Sequence, residues 1–157
     1  MRNLLLTIAI ILIPITNICA CSCSDTDQPL GKKVKEAFLS ADLIFTGKVI
    51  DIKEINTILP YKSSSDPVVY TFEVIQKIKG KTKKTILKIL SSNSGASCGY
   101  NFQLGESYLV YSSVSDHFAK QTGIKTSFVT SLCRRNQELQ SVHKKELKKL
   151  FIYAKKK

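Results

Sequence analysis

Cys21-Ser22-Cys23-Ser24 is the stretch around which the chain is organised, because the residues before it have the pattern of an export signal. Arg2 supplies a positive charge, residues 4–13 form an apolar run, and the small residue Ala20 suits the position before a cleavage site. The apolar run is too short to span a bilayer comfortably. We therefore expect cleavage after Ala20, which would give Cys21 a free α-amine.

Such a cleavage would divide the chain into a signal peptide, residues 1–20, and one exported domain, residues 21–157. The exported part would carry 23 basic and 12 acidic side chains, a net charge of +11, because the signal contains Arg2 and no acid. This charge favours an anionic partner such as a polysaccharide or a membrane surface, although lysines spread along a chain are more often a solvated surface. Export argues against nucleic acid as a partner.

Four of the five cysteines would remain after cleavage, and in an exported domain two disulfides are the expected arrangement. A bond between Cys21 and Cys23 would close a strained, very small loop. Two pairing schemes therefore stay open, and each ties the N-terminus to both Cys98 and Cys133. A structural zinc site is the competing interpretation, but Cys98 and Cys133 are not the second close pair that such sites usually have.

The periodicity of apolar residues predicts a mainly β fold. It places strands at 41–54, 68–78, 85–90 and 106–112, and helices at 34–39 and 137–154. Gly47, inside the first strand, predicts a bulge or bend. We expect a small closed five-stranded barrel of the oligonucleotide/oligosaccharide-binding (OB) type, with a short helix near the N-terminus. An amphipathic, lysine-rich helix would follow at the C-terminal end.

One motif suggests an enzyme. Residues 95–99 match the G-x-S-x-G nucleophile pattern around Ser97, which requires a preceding strand, a following helix and a histidine base. Here a polar loop precedes the motif, and His117 and His143 are the only histidines. Neither histidine has a metal-ligand neighbour at strand or helix spacing, and no glycine-rich phosphate loop is present. We expect no enzymatic activity and no cofactor.

The cysteine-led stretch and several later segments together resemble a known family. These segments are Cys21-Ser22-Cys23-Ser24, Glu36-Ala37-Phe38, 40–45, Ile78-Lys79-Gly80, Cys98-Gly99-Tyr100, 105–111 and Thr130-Ser131-Leu132-Cys133. In this order the chain resembles the inhibitory, netrin-like N-terminal domain of the tissue inhibitors of metalloproteinases, in the single-domain form of bacterial relatives. Leu39 stands where the animal inhibitors carry a further cysteine, so their third disulfide would be missing.

The resemblance implies an OB-type barrel and the disulfides Cys21–Cys98 and Cys23–Cys133. It also implies a secreted inhibitor of zinc metalloproteinases whose Cys21 α-amine and carbonyl oxygen chelate the catalytic zinc of the target. Ser22 would point into the adjacent substrate pocket of the protease. The expected contact residues of the inhibitory ridge are Cys21, Ser22, Cys23, Ser24, Ser97 and Cys98.

Three different interpretations remain open. Residues 18–21 resemble a bacterial lipobox, so Cys21 could instead be lipidated and anchor the domain at the cell envelope. The lysines between Lys77 and Lys88 could bind an anionic polysaccharide, or they could protect a strand edge. An exported domain of the same fold could also lack inhibitory activity, because fold does not fix function.

Overall fold

The computed structural model describes residues 21, 23, 27–55 and 61–156; the predicted signal peptide and the predicted contact residues Ser22 and Ser24 lie outside these ranges. Within them the chain forms six strands and three α-helices. In chain order these are α1 (Leu30–Ser40), β1 (Leu43–Glu54), β2 (Pro67–Lys79), β3 (Ile86–Ser92), β4 (Ser107–Ser115), α2 (Ala119–Thr122), β5 (Ser127–Val129), β6 (Gln137–Glu138) and α3 (Lys144–Lys155). The expectation of a mainly β fold with a short early helix and a final helix is confirmed.

Five of the strands form a closed ring. The hydrogen-bonded order is β1-β2-β3-β5-β4, and β4 also pairs with β1, while the short β6 pairs near the start of β4. All pairings are antiparallel except that between β3 and β5. The strand that closes the ring, β5, was not predicted, because its three residues lie in a stretch that sequence alone indicates to be a polar connection.

Gly47 allows β1 to bend while it pairs with strands on both sides. The register of β1 against β2 shifts between Thr46 and Gly47, as expected for a bulge. A Cβ atom at Gly47 would lie 2.8 Å from the Glu73 carbonyl oxygen and 2.9 Å from the Phe45 ring. The close approach of two backbones at the bend therefore requires glycine at this position.

The apolar residues form two clusters, one inside the ring and one between the ring and the helices. The inner cluster includes Phe45, Tyr70, Phe72, Ile89, Phe102 and Val110, and the second includes Val34, Phe38, Ile44, Leu109, Tyr111 and Leu150. In β2 the alternating residues Val68, Tyr70 and Phe72 are buried in the inner cluster, as the periodicity predicts. Helix α3 packs on α1, where the rings of Phe38 and Tyr153 lie 5.6 Å apart.

The predicted start of the last helix is wrong. Sequence periodicity places it at Gln137, whereas α3 begins at Lys144. Gln137 and Glu138 instead pair with Leu109 and Tyr108 of β4. The helix then begins after His143, whose Nδ1 accepts a hydrogen bond from the Lys145 N–H at 3.1 Å and so caps the helix N-terminus.

Candidate functional site

Two disulfides fasten the N-terminal cysteines to two separate loops. Cys21 is bonded to Cys98 with a Cα–Cα distance of 5.2 Å, and Cys23 is bonded to Cys133 with a Cα–Cα distance of 5.1 Å. This is the pairing that the family resemblance implies. The two bonds are neighbours, because the sulfur atoms of Cys21 and Cys133 lie 3.9 Å apart. We name the surface formed by Cys21, Cys23, Ser97 and Cys98 the ridge.

The Cys98 loop has a tightly constrained backbone. A 3-10 turn at Gly95–Ser97 leads into Cys98, which adopts a left-handed conformation with φ 60°. The Gly99 N–H then donates to the Ser94 carbonyl at 2.8 Å. A Cβ atom at Gly99 would overlap the Ser92 carbonyl oxygen, so only glycine fits where the loop turns back against the end of β3.

The loop before β2 supports the ridge from one side. The Ser64 hydroxyl lies 2.7 Å from the Ser97 hydroxyl, and the Ser94 N–H donates to the Ser64 carbonyl at 3.2 Å. Buried Asp66 shapes this loop by accepting the Ser63 N–H at 2.8 Å. The sequence indicated only a loop here, although a serine followed three residues later by an acid is the capping-box pattern, in which the acid bonds back to the serine N–H.

The Ser97 environment does not suit a catalytic nucleophile. Its hydroxyl contacts another serine, and a 3-10 turn rather than a strand-to-helix elbow holds it. His143 is occupied as the cap of α3, and the His117 ring packs on Phe118 at 4.6 Å. The G-x-S-x-G match is therefore a structural turn that places Cys98.

Aromatic side chains anchor the other end of the Cys98 loop in the core. The Tyr100 N–H donates to the Ser91 hydroxyl at 2.8 Å, and the Tyr100 ring lies 4.6 Å from Phe102. Phe102 in turn packs edge-on against Tyr108 at 4.9 Å. Burial raises the pKa of Tyr100 to about 12 and also raises the pKa of Tyr108. Both phenols therefore stay neutral at physiological pH.

The Cys133 loop is hydrogen-bonded to the Cys98 loop and to the ring. The Leu132 N–H donates to the Cys98 carbonyl at 2.8 Å, which joins the two disulfide-bearing loops directly. The buried Asn136 amide accepts the Tyr111 N–H at 2.9 Å and donates to the Thr130 hydroxyl at 2.8 Å. These bonds give hydrogen-bond partners to buried polar groups in and around a turn that has no regular secondary structure.

A buried carboxylate connects this loop to α3. Glu146 is 1% exposed and accepts hydrogen bonds from the Tyr111 hydroxyl at 2.8 Å and from Arg135 at 3.1 and 2.6 Å. Hydrogen bonding to Glu146 raises the pKa of Arg135, and burial raises the pKa of Tyr111. Because Arg135 follows Cys133 by two residues, α3 helps to hold the loop that carries the second disulfide. Sequence reasoning did not identify this network.

The described cysteines do not form a resident metal site. The sulfur atoms of Cys21, Cys98 and Cys133 lie within 4.8 Å of one another, but each belongs to a disulfide. A zinc ion requires thiolates, which a disulfide does not supply. The competing interpretation of a structural zinc site at these four cysteines is therefore not supported.

The fold and the ridge define a class of protein: a small, mainly β domain in which two disulfides hold a Cys-x-Cys pair against two loops. Residues 19–154 match the family described as tissue inhibitor of metalloproteinase, and the chain belongs to this family. Its members inhibit metalloproteinases and are not enzymes, and they are typically secreted. The comparison of this chain with curated proteins found no match. Among the described residues, no helix has both the length and the apolar character needed to cross a membrane.

Proposed function

We propose that the protein is a secreted inhibitor of zinc metalloproteinases that acts through Cys21 once residues 1–20 have been removed. Membership of the family supports metalloproteinase inhibition as the activity. The single observation that best supports the mechanism is the position of Cys21. Its sulfur is bonded to Cys98 and lies 3.9 Å from the sulfur of Cys133, so Cys21 is fixed to the Cys98 loop directly beside the second disulfide.

The proposed chemistry is displacement of the water on the catalytic zinc of the protease. A catalytic zinc keeps one coordination position open for this water. The free α-amine and the carbonyl oxygen of Cys21 would bind there as a five-membered chelate, and the protease would lose its nucleophile. The amine must be neutral to bind, and because its usual pKa is about 8, inhibition should weaken as pH falls.

The remaining predicted contact residues would position this chelate. Ser22 would enter the adjacent substrate pocket, while Cys23, Ser24 and Ser97 would contact the rim of the active-site cleft. The hydrogen bond between the Ser64 and Ser97 hydroxyls and the one from the Leu132 N–H to the Cys98 carbonyl support a rigid ridge. A rigid ridge loses little conformational entropy on binding, and this favours affinity.

Two further features belong to the same proposal. The export pattern of residues 1–20 supports secretion, as does the typical location of the family. The ring β1-β2-β3-β5-β4 supports a closed barrel of the OB type, because it leaves few strand edges unpaired.

A lipid anchor would compete for the same atom. Lipidation of a lipobox cysteine modifies its sulfur, and in this structure the sulfur of Cys21 is bonded to Cys98. An acylated amine could also not chelate zinc. Two further candidate functions compete with inhibition: polysaccharide binding through the lysines between Lys77 and Lys88, and a domain of the same fold without inhibitory activity.

The proposal is tested by titrating refolded protein that begins at Cys21 against a panel of zinc metalloproteinase catalytic domains. The matched control carries one additional alanine before Cys21, which removes the α-amine from the ridge and leaves the fold intact. We expect inhibition by the first protein and none by the second. Equal inhibition by both would exclude chelation, and no inhibition of any enzyme would favour a lipid anchor or polysaccharide binding.

A further inference from the structure

An apolar cleft of about 600 Å³ lies along β3, away from the ridge. It runs between β3, β5 and the connection that precedes β5. Its apolar lining includes Ile55, Val69, Ile86, Leu90, Ile124 and Phe128. A cleft of this size is within the range of protein sites that accept ligands.

Three lysines line the same cleft. Lys53, Lys84 and Lys88 are all exposed, and within the described residues none of them forms an ion pair. No carboxylate from the described part of the chain lines the cleft. The cleft therefore combines an apolar floor with the positive charge of three lysines. We name it the lysine cleft.

Large apolar side chains are exposed at the edge of the lysine cleft. Ile86 is 45% and Ile124 is 54% exposed. A second cleft continues this surface, because Thr82 and Phe128 line both. The two isoleucines therefore add exposed apolar surface to a cleft that also carries three lysines.

We propose that the lysine cleft docks the protein on an anionic lipid membrane. The three lysines would contact the phosphate headgroups, and Ile86 and Ile124 would enter the boundary with the acyl chains, as in other interfacial proteins. An anionic polysaccharide fits less well, because it would satisfy the lysines and leave the isoleucines in water. This inference does not depend on the proposed inhibition.

Ile86 lies at the end of β3 that is farther from the ridge. Strand β3 begins at Ile86 in the lysine cleft and ends at Ser92, where the Cys98 loop turns back against it. Seven residues of extended strand span about 20 Å. The isoleucine end of the cleft is therefore the end farther from the ridge, whereas Lys53 and Leu90 lie nearer to it. Membrane binding and inhibition are separate measurements.

A tryptophan reporter tests the docking directly, because the natural sequence contains no tryptophan. Ile124→Trp places the reporter in the lysine cleft, and Ile152→Trp places the control on α3 at a similarly exposed position of 43%. We expect vesicles of phosphatidylcholine with phosphatidylglycerol to shift the emission of the first variant to the blue. Vesicles of phosphatidylcholine alone should shift neither. Equal shifts for both variants, or no shift for Ile124→Trp, would overturn the proposal.

Charge variants locate the contact. In vesicle sedimentation we expect a triple Lys→Gln variant at 53, 84 and 88 to bind on the order of a hundredfold more weakly than the natural protein. The matched control replaces Lys144, Lys145 and Lys148 of α3, which are exposed and do not line the lysine cleft. Equal loss in both triple variants would indicate diffuse electrostatic attraction and refute a specific face.

The isoleucines distinguish a membrane from a polysaccharide. Ile86→Ser with Ile124→Ser should weaken vesicle binding about tenfold, because two apolar contacts are lost, and should leave retention on heparin unchanged. If this double variant binds vesicles as the natural protein does, the surface recognises anions only. The membrane assignment would then be replaced by a polysaccharide.

Discussion

Removal of the Glu146 carboxylate should destabilise the protein strongly, although Glu146 is far from the ridge in sequence. The side chain is 1% exposed and accepts from Tyr111 at 2.8 Å and from Arg135 at 3.1 and 2.6 Å. Glu146→Ala would leave a buried hydroxyl and a partly buried guanidinium without their acceptor. Removal of one partner of a buried ion pair typically costs ~3–5 kcal/mol.

The structure places the expected loss at the lower end of that range. The Arg135 side chain is 26% exposed, so water can solvate part of the guanidinium after the change. We expect a loss of about 3 kcal/mol in the free energy of unfolding, or about 10 °C in Tm. The assay is urea unfolding of the disulfide-bonded protein, followed by far-ultraviolet circular dichroism. Glu73→Gln, on the exposed side of β2, is the control and should change stability by less than about 0.5 kcal/mol.

A double-mutant cycle shows whether the loss comes from the pair itself. Arg135→Ala combined with Glu146→Ala should cost less than the sum of the two single changes, because neither partner is then left alone. The reasoning is refuted if Glu146→Ala costs no more than Glu73→Gln, or if the two single effects are additive. Either result would mean that α3 does not hold the Cys133 loop through this carboxylate.

The remaining predictions concern the ridge and its support. Replacing Cys23 and Cys133 together by alanine opens a loop with a sequence separation of 110 residues, and should lower the free energy of unfolding by ~2–5 kcal/mol; an unchanged urea midpoint would contradict this. Gly99→Ala should cost ~1–3 kcal/mol, because the new methyl group overlaps the Ser92 carbonyl. In the same loop Gly95→Ala has free space within 4 Å and should be neutral in the same urea titration; equal losses would show that the backbone contact at Gly99 is unimportant. The free energy of unfolding should also fall as pH rises from 10 to 12. The pKa of Tyr100 is about 12 in the folded protein, whereas that of an unperturbed tyrosine is 10. The unfolded chain therefore loses the phenolic proton first, and this favours unfolding. Tyr100→Phe should make this fall shallower, and an identical pH dependence in the variant would exclude Tyr100 as its source.

Long, regularly alternating segments were predictable from the sequence. The stretch from Val68 to Ile78 shows the alternation of a strand with one buried face, and β2 contains it. The bend at Gly47 was predictable because a glycine inside a strand pattern indicates a bulge. The family and the disulfide pairing were predictable from the order of the segments that resemble the inhibitor family. The chain belongs to that family, and the structure has that pairing.

Several elements depend on tertiary contacts that periodicity does not reveal. Strand β5 has three residues, too few for an alternation to stand out, and it exists because both β3 and β4 pair with it. Gln137 and Glu138 directly precede the apolar positions on which the helix prediction rested, but they pair with β4 instead. Buried Glu146 did leave a signal, since it lies four residues after Val142 and four before Leu150, both of which are buried. The lysines around it obscured that position on the apolar face.

The most direct test of the central claim examines the metal of the target. A metalloproteinase that the protein inhibits in the panel experiment is prepared with cobalt(II) in place of its catalytic zinc. Its visible absorption spectrum is then recorded during titration with protein that begins at Cys21. We predict a spectral change that saturates at one equivalent, because nitrogen and oxygen of Cys21 replace water on the metal. The form with an additional alanine before Cys21 should leave the spectrum unchanged. Inhibition without any spectral change would contradict the account, because the ridge would then block the protease without binding its metal.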